Sequence, residues 1–220
     1  EEVIRLFGFD NVPSKYHYNG IMENHEPDPH KGITIMTSIL TGLGFTQVFN
    51  NSLQSSRKVS LLDIPSVKIM NPLSDKMDQL RTSLIPGLLK TADFNVKNGE
   101  PDLMLYEWGN VFEQENPGMA GIVEKLQLTG MIHGLLHGES VHHKKKRSAS
   151  FFAIKGVIES FLSRLQIQNI LIKPDKDNEY GFQNAFSVEV KGNIIGYLGG
   201  ISRQFVSGMN LDIGQSRSEE

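Results

Sequence analysis

Apolar residues recur at helical spacing in four stretches of the chain. Val3, Leu6 and Phe7 share one face of a short run that Gly8 ends, which predicts the last turns of a helix over Glu1 to Gly8. That run is too short to stand alone and is expected to belong to a domain lying mostly upstream. Ile33, Met36, Leu40 and Leu43 mark a second face, stopped by Gly42 and Gly44. A third helix is predicted from about Ser83 to Lys97, with Leu84, Leu88, Ala92 and Val96 inward and Asn98-Gly99 closing it. Pro86 falls in its first turn, where N–H groups lack helical acceptors anyway. The fourth covers roughly Ser150 to Leu165, with Phe151, Ile154, Ile158, Phe161 and Leu165 buried and Arg164 favourable at the C-terminal dipole.

Between these helices the pattern turns to strands. Leu103 to Phe112 is the strongest, rich in Leu, Tyr, Trp, Val and Phe, and Leu126 to Ile132 is a second. Phe45 to Leu53 reads as a strand, and Val67 to Met70 as a short one ended by Asn71-Pro72. Phe186 to Val190 and Ile194 to Leu198 flank Lys191-Gly192-Asn193, a hairpin signal. Helices and strands in this irregular order predict an α+β fold, a largely antiparallel sheet flanked by helices. Pro13, Asn19-Gly20, Pro27 and Pro29 mark a connector. It divides residues 1–19, a helical tail plus connector, from a main domain over 20–220.

Composition narrows the classes. With 39% apolar and 21% charged residues in 220, the chain can bury a real core and is neither fibrous nor wholly disordered. The apolar stretch from Gly32 to Phe49 is interrupted by Thr, Ser, Gly and Gln, so no membrane span is predicted. No basic segment followed by an apolar one opens the chain, and a first residue of Glu1 is expected of a piece cut from a longer protein. The absence of cysteine removes disulfides, thiolate zinc sites and cysteine nucleophiles, and fits a cytoplasmic protein. The balance of 22 basic against 25 acidic residues is too mild to announce a nucleic-acid binder by bulk charge.

Candidate chemistry is sparse. His133, His137, His142 and His143 invite a metal, but Gly134 and Gly138 break any helix that would align a pair of them, so strand-end and loop histidines are expected. Asp175 to Phe186 superficially resembles a calcium loop but has its glycine at the wrong position and Phe where a carboxylate belongs. Lys144, Lys145, Lys146 and Arg147 form the one strongly basic run; it could grip RNA phosphates, yet no aromatics interleave it, which favours a solvated loop. No GxSxG, GxxxxGK[ST] or HExxH sequence occurs. Gly196-x-x-Gly199-Gly200 follows a strand without an evident helix after it and is expected to be turn structure. By motif alone this is not a complete enzyme.

Five segments, in order, resemble the β chain of bacterial phenylalanyl-tRNA synthetase. They are Glu1 to Pro13, Gly42 to Val48, Asn71 to Ser74 leading into Leu80 to Leu89, Leu105 to Phe112, and Phe151 to Gly156. The resemblance covers nearly the whole chain and implies a degenerate copy of the class II synthetase fold. It implies a catalytic α chain as partner, an (αβ)2 assembly, and charging of tRNA with phenylalanine using ATP and magnesium. Class II catalysis needs an arginine on the strand matching Leu103 to Phe112, to hold the ATP α-phosphate. That strand contains neither Arg nor Lys, so this copy is expected to be inactive. The chain departs from the family at Ser150 and Ala153, around Tyr180 to Ala185, and at Ser202-Arg203.

The leading expectation is thus a non-catalytic domain that presents Ile33, Met36, Leu40, Phe45 and Val48 to the α chain. The exposed apolar surface this leaves would favour self-association of the chain on its own. Arg81 is read as part of a structural ion pair, with Thr82 and Ser83 capping the helix, rather than as a substrate clamp. The alternatives are a self-sufficient adenylate-forming ligase domain and an RNA-binding module using Lys144 to Arg147. The resemblance also places Glu1 and Glu2 in a magnesium site shared with the α chain; adjacent helical carboxylates diverge by about 100° and alone chelate poorly, so no cofactor is expected on this chain by itself.

Overall fold

The computed structural model describes residues 2–13, 30–56, 64–137, 147–175 and 181–213. The chain separates into two units, 1–34 and 35–220. In the first, helix α1 (Glu2–Phe7) ends at Gly8, whose φ of 87° suits a residue without a side chain, and a short 3-10 turn follows over Phe9–Asn11. Val3, Leu6 and Phe7, the predicted apolar face, are all exposed. Helix α2 (Lys31–Gly42) starts in this unit and runs into the second.

The second unit is built on strand β4 (Leu103–Gln114), paired along its whole length with antiparallel β5 (Ile122–His133). A two-residue strand, β1 (Thr46–Gln47), joins the other edge of β4 in parallel. Helix α3 (Ile85–Lys97) covers one face, where Leu88 and Ala92 pack on Leu103 and Leu105. The alternate residues of β4 meet α2 instead: Leu40 and Phe45 pack on Tyr106, with Met104 and Trp108 beside them. Phe45 reaches this core because α2 closes in a Schellman turn, with Gly44 at φ 92° and the Phe45 N–H donating to the Leu40 carbonyl at 3.1 Å.

A second sheet has the order β10-β9-β8, from β8 (Ile170–Pro174), β9 (Phe182–Val190) and β10 (Asn193–Ile201). The predicted hairpin is present and longer than its sequence signal, turning at Lys191-Gly192, both with positive φ. Helix α4 (Phe151–Arg164) lays Leu162 on Val188 and Leu198 and offers Phe161 to the Tyr106 core as well. Helix α5 (Arg203–Gly208) inserts Phe205 beside Ile85 and Leu89 of α3.

Three expectations are corrected. The strand over Phe45 to Leu53 is broken into β1 and β2 (Leu53–Gln54), because Asn50 turns its side chain inward and Asn51 Oδ1 accepts from the Leu53 N–H at 2.8 Å. Val67 to Met70 contributes only one bridge, Lys68 to Gln79 of β3 (Gln79–Leu80). A helix, α5, does follow Gly196-x-x-Gly199-Gly200, capped by the Ser202 hydroxyl, and the glycines themselves lie inside β10 at its bulged register. Two further short strands, β6 (Leu135–His137) and β7 (Arg147–Ser148), pair as a ribbon.

Asp78, beside β3, makes a pH-dependent anchor. Its carboxylate accepts from the Ser56 hydroxyl and from the Ser56 N–H at 2.7 Å, and these bonds, the hydroxyl first, hold its pKa below the ordinary value. A depressed carboxyl pKa contributes stability above the unfolded value and loses it as pH falls through the folded one. Asp78→Asn is therefore expected to lower the urea midpoint at neutral pH. The gap to the parent should narrow below about pH 4. A gap that stays constant with pH would show that the charge on Asp78 is immaterial.

Candidate functional site

The one buried charged cluster among the described residues lies where β4 meets the entrance of α3. Glu107 stands in the middle of β4, 1% exposed, on the face toward α3. Arg81, directly after β3, reaches it across 2.7 Å from Nη1 to Oε1, in a pair whose side chains are 8% and 2% exposed. Arg81 Nε also donates to the Asn110 carbonyl at 2.8 Å, and Nη1 lies 3.3 Å from the Asn50 carbonyl. Asn50 completes the shell. Its N–H donates to Glu107 Oε1 at 3.1 Å, its Nδ2 to Oε2 at 2.6 Å, and its Oδ1 accepts from the Thr91 hydroxyl at 2.8 Å.

This arrangement is closed. Both carboxylate oxygens of Glu107 have internal donors, so the charge is neutralised and hydrogen-bonded as burial demands. The guanidinium rests on Gly109, where a Cβ would sit 2.0 Å from Arg81 Nη2, so this strand position admits no side chain without moving the arginine. The cluster ties four segments together: the turn after β1 (Asn50), the exit of β3 (Arg81), the middle of α3 (Thr91) and the centre of β4 (Glu107). Its one hydroxyl, that of Thr91, is donated to Asn50, and its one carboxylate is paired with Arg81. A groove of about 440 Å³ lined by Gln166, Ile167, Asn169, Val190 and Lys191 shares no residue with it.

The structure bears out the reading of Arg81 as half of an ion pair. The capping assignment is corrected: Leu84 occupies the N-cap of α3 with no side-chain cap, Ser83 lies one residue earlier and its hydroxyl accepts only from the Ile85 N–H at 3.2 Å, and Thr82 Oγ1 is buried without a partner. Leu40 and Phe45 are buried in this chain's own core, and Val48 packs beside Leu105. Ile33 and Met36 are half-buried on α2. His133 is a strand-end histidine, with Nδ1 2.7 Å from the Pro101 carbonyl. Lys144, Lys145, Lys146, His142 and His143 lie outside the described residues; only the backbone of Arg147 is placed, in β7. Glu1 also lies outside them, while Glu2 is exposed and 3.3 Å from Arg5.

No group of three or more His, Asp or Glu side chains able to hold a metal occurs among the described residues. No helix among them is long and apolar enough to cross a membrane. Sequence reasoning missed Glu107 and Asn50. The available signal was a lone carboxylate between Tyr106 and Trp108 in the most apolar strand, which burial obliges to find a cation. Two departures from the expected family pattern also have structural roles: Ser150 caps α4 through the Ala153 N–H at 3.2 Å, and Ser202 caps α5 through the Phe205 N–H at 3.2 Å.

This arrangement of sheets and helices is a class II aminoacyl-tRNA synthetase fold. A pyrrolysyl-tRNA synthetase from Desulfitobacterium hafniense superposes with a TM-score of 0.57 over 81% of this chain and 61% of its own, at 12% identity. A second structure of that organism's pyrrolysyl-tRNA synthetase gives 0.57 at 13% identity, over 81% and 58%. The sequence model of the phenylalanyl tRNA synthetase beta chain CLM domain matches residues 13–215, and the chain belongs to that family. The phenylalanine–tRNA ligase beta subunit of Listeria innocua is 30% identical over 205 residues, 91% of this chain and 25% of the relative. That of Halalkalibacterium halodurans is 27% identical over 221 residues, 96% and 27%. The chain thus spans about a quarter of the length of these relatives.

Proposed function

We propose that this chain is a non-catalytic domain of a phenylalanine–tRNA ligase β subunit, which supports the catalytic α subunit in ATP-dependent charging of tRNA with phenylalanine. The observation that carries the reading is the closed Arg81–Glu107–Asn50 cluster. A class II active site must present an unpaired cation to the ATP phosphates from the strand matching β4. Here β4 offers no cation, and the arginine nearest its centre is occupied by Glu107, Asn110 and Asn50. The domain's work is then to hold a shaped surface against the α subunit.

ATP–pyrophosphate exchange with phenylalanine tests this. The chain alone is expected to give background exchange, and the α subunit with a full-length β subunit to give full exchange. Phenylalanine-dependent exchange by the chain alone would overturn the reading.

The same reading assigns Glu1 and Glu2 to magnesium only within the assembled enzyme, where further carboxylates complete the hard oxygen set that Mg²⁺ prefers. Replacing both by Gln in the full-length β subunit is expected to raise the magnesium concentration needed for assembly with the α subunit. An unchanged requirement would refute that assignment.

A further inference from the structure

We propose that Asn98–Gly99, at the C-terminus of α3, is a site of spontaneous deamidation, gated by the opening of the helix's last turn. The chemistry is local. The backbone nitrogen of Gly99 loses its proton and attacks the side-chain amide carbon of Asn98. The C–N bond to the side-chain nitrogen breaks, ammonia leaves, and a five-membered succinimide remains. Water then opens that ring at either carbonyl, giving aspartate or isoaspartate at the position. Glycine as the following residue favours the attack because no side chain obstructs it. At Gly99 an added Cβ would have no heavy atom within 4 Å, and both residues are exposed.

In the folded chain the reacting groups are held apart. Asn98 has φ −92° and ψ 10°, and its Nδ2 donates to the Phe94 carbonyl at 2.7 Å. The attacking nitrogen is occupied as well: the Gly99 N–H donates to the Val96 carbonyl at 3.1 Å. The Glu100 N–H donates to the Asn95 carbonyl at 3.0 Å, which completes a Schellman turn with Gly99 at φ 92°. Attack therefore requires this turn to open, the kind of terminal fraying that helix ends undergo at low free energy.

The product works against the cap. An acid at this position puts negative charge at the negative end of the helix dipole and removes the donor to Phe94. Isoaspartate also adds a backbone atom, which breaks the register of both turn hydrogen bonds. Val96, two residues before the cap, packs against the Leu88–Leu105 core, so the change loosens the helix over β4. The other Asn-Gly pair in the sequence, Asn19-Gly20, lies outside the described residues.

The test is incubation of the purified chain at mildly alkaline pH, native and in urea, followed by proteolysis and mass spectrometry of the peptide beginning at Asn98. The expected result is conversion in both, about tenfold or more slower in the native chain. Val96→Ala, which weakens packing of the last turn, should speed native conversion toward the urea rate while circular dichroism shows the chain still folded. Gly99→Ala in urea should slow it. Absence of conversion in urea would overturn the site, and equal rates in native and urea samples would overturn the gate.

Discussion

Arg81→Met is expected to lower the unfolding free energy of the chain by about 3–5 kcal/mol. The reason is what it leaves behind. Glu107, 1% exposed, would keep Asn50 as a neutral donor but lose the one cation paired with its carboxylate among the described residues. Total stabilities of domains run to about 5–15 kcal/mol, so the loss is a large fraction of the whole. Urea titration followed by circular dichroism measures it. Arg81→Met combined with Glu107→Met should recover much of the loss, because an apolar pair needs no compensation. Gly109→Ala acts on the same contact by pushing a methyl into the guanidinium, and its effect should be far from additive with Arg81→Met. A loss below about 1 kcal/mol for Arg81→Met would mean that solvent replaces the guanidinium and that the cluster is not closed.

Phe45→Ala is expected to cost about 3–5 kcal/mol of the chain's own stability, measured without any partner. Phe45 is 5% exposed between Leu40 and Tyr106, held there by the end of α2, so truncation leaves a cavity against β4. Ile35 on the same helix is 47% exposed, and Ile35→Ala should change stability by no more than about 0.5 kcal/mol. Under the proposed function Ile35→Ala should instead weaken co-purification with the α subunit. The two variants separate what α2 does for this chain from what it does for an assembly. A neutral Phe45→Ala would show that its site collapses without cost.

These expected effects also divide what could be read early from what could not. Repeating faces identified α2, α3 and α4 because a helix satisfies its own backbone and shows its burial every three or four residues. Ser150 and Gly44 set ends with bonds to neighbours in sequence. Strand β4 was legible from its apolar density, and the β9–β10 hairpin from a turn whose left-handed geometry favours Lys191-Gly192. The resemblance to a synthetase β chain was legible too, since it is carried by residues in order along the chain.

The tertiary structure decided what depends on partners remote in sequence. Strands β1, β2 and β3 are two residues each and exist only because a neighbouring strand supplies their hydrogen bonds, so no local period announces them. The run over Phe45 to Leu53 carries enough apolar residues for one strand, yet the pull of Glu107 on Asn50, 57 positions away, breaks it in two. Arg81 and Glu107 are 26 residues apart, and no local pattern names Glu107 as the partner of Arg81. Only folding brings them into one dry space, where each charge requires the other. The sequence determined α2, α3 and α4, the long strand and the family, because those rest on near neighbours and linear order. Whether the arginine was available to a ligand or committed to a buried carboxylate was decided by the tertiary structure, because electrostatic pairing depends on distance in space.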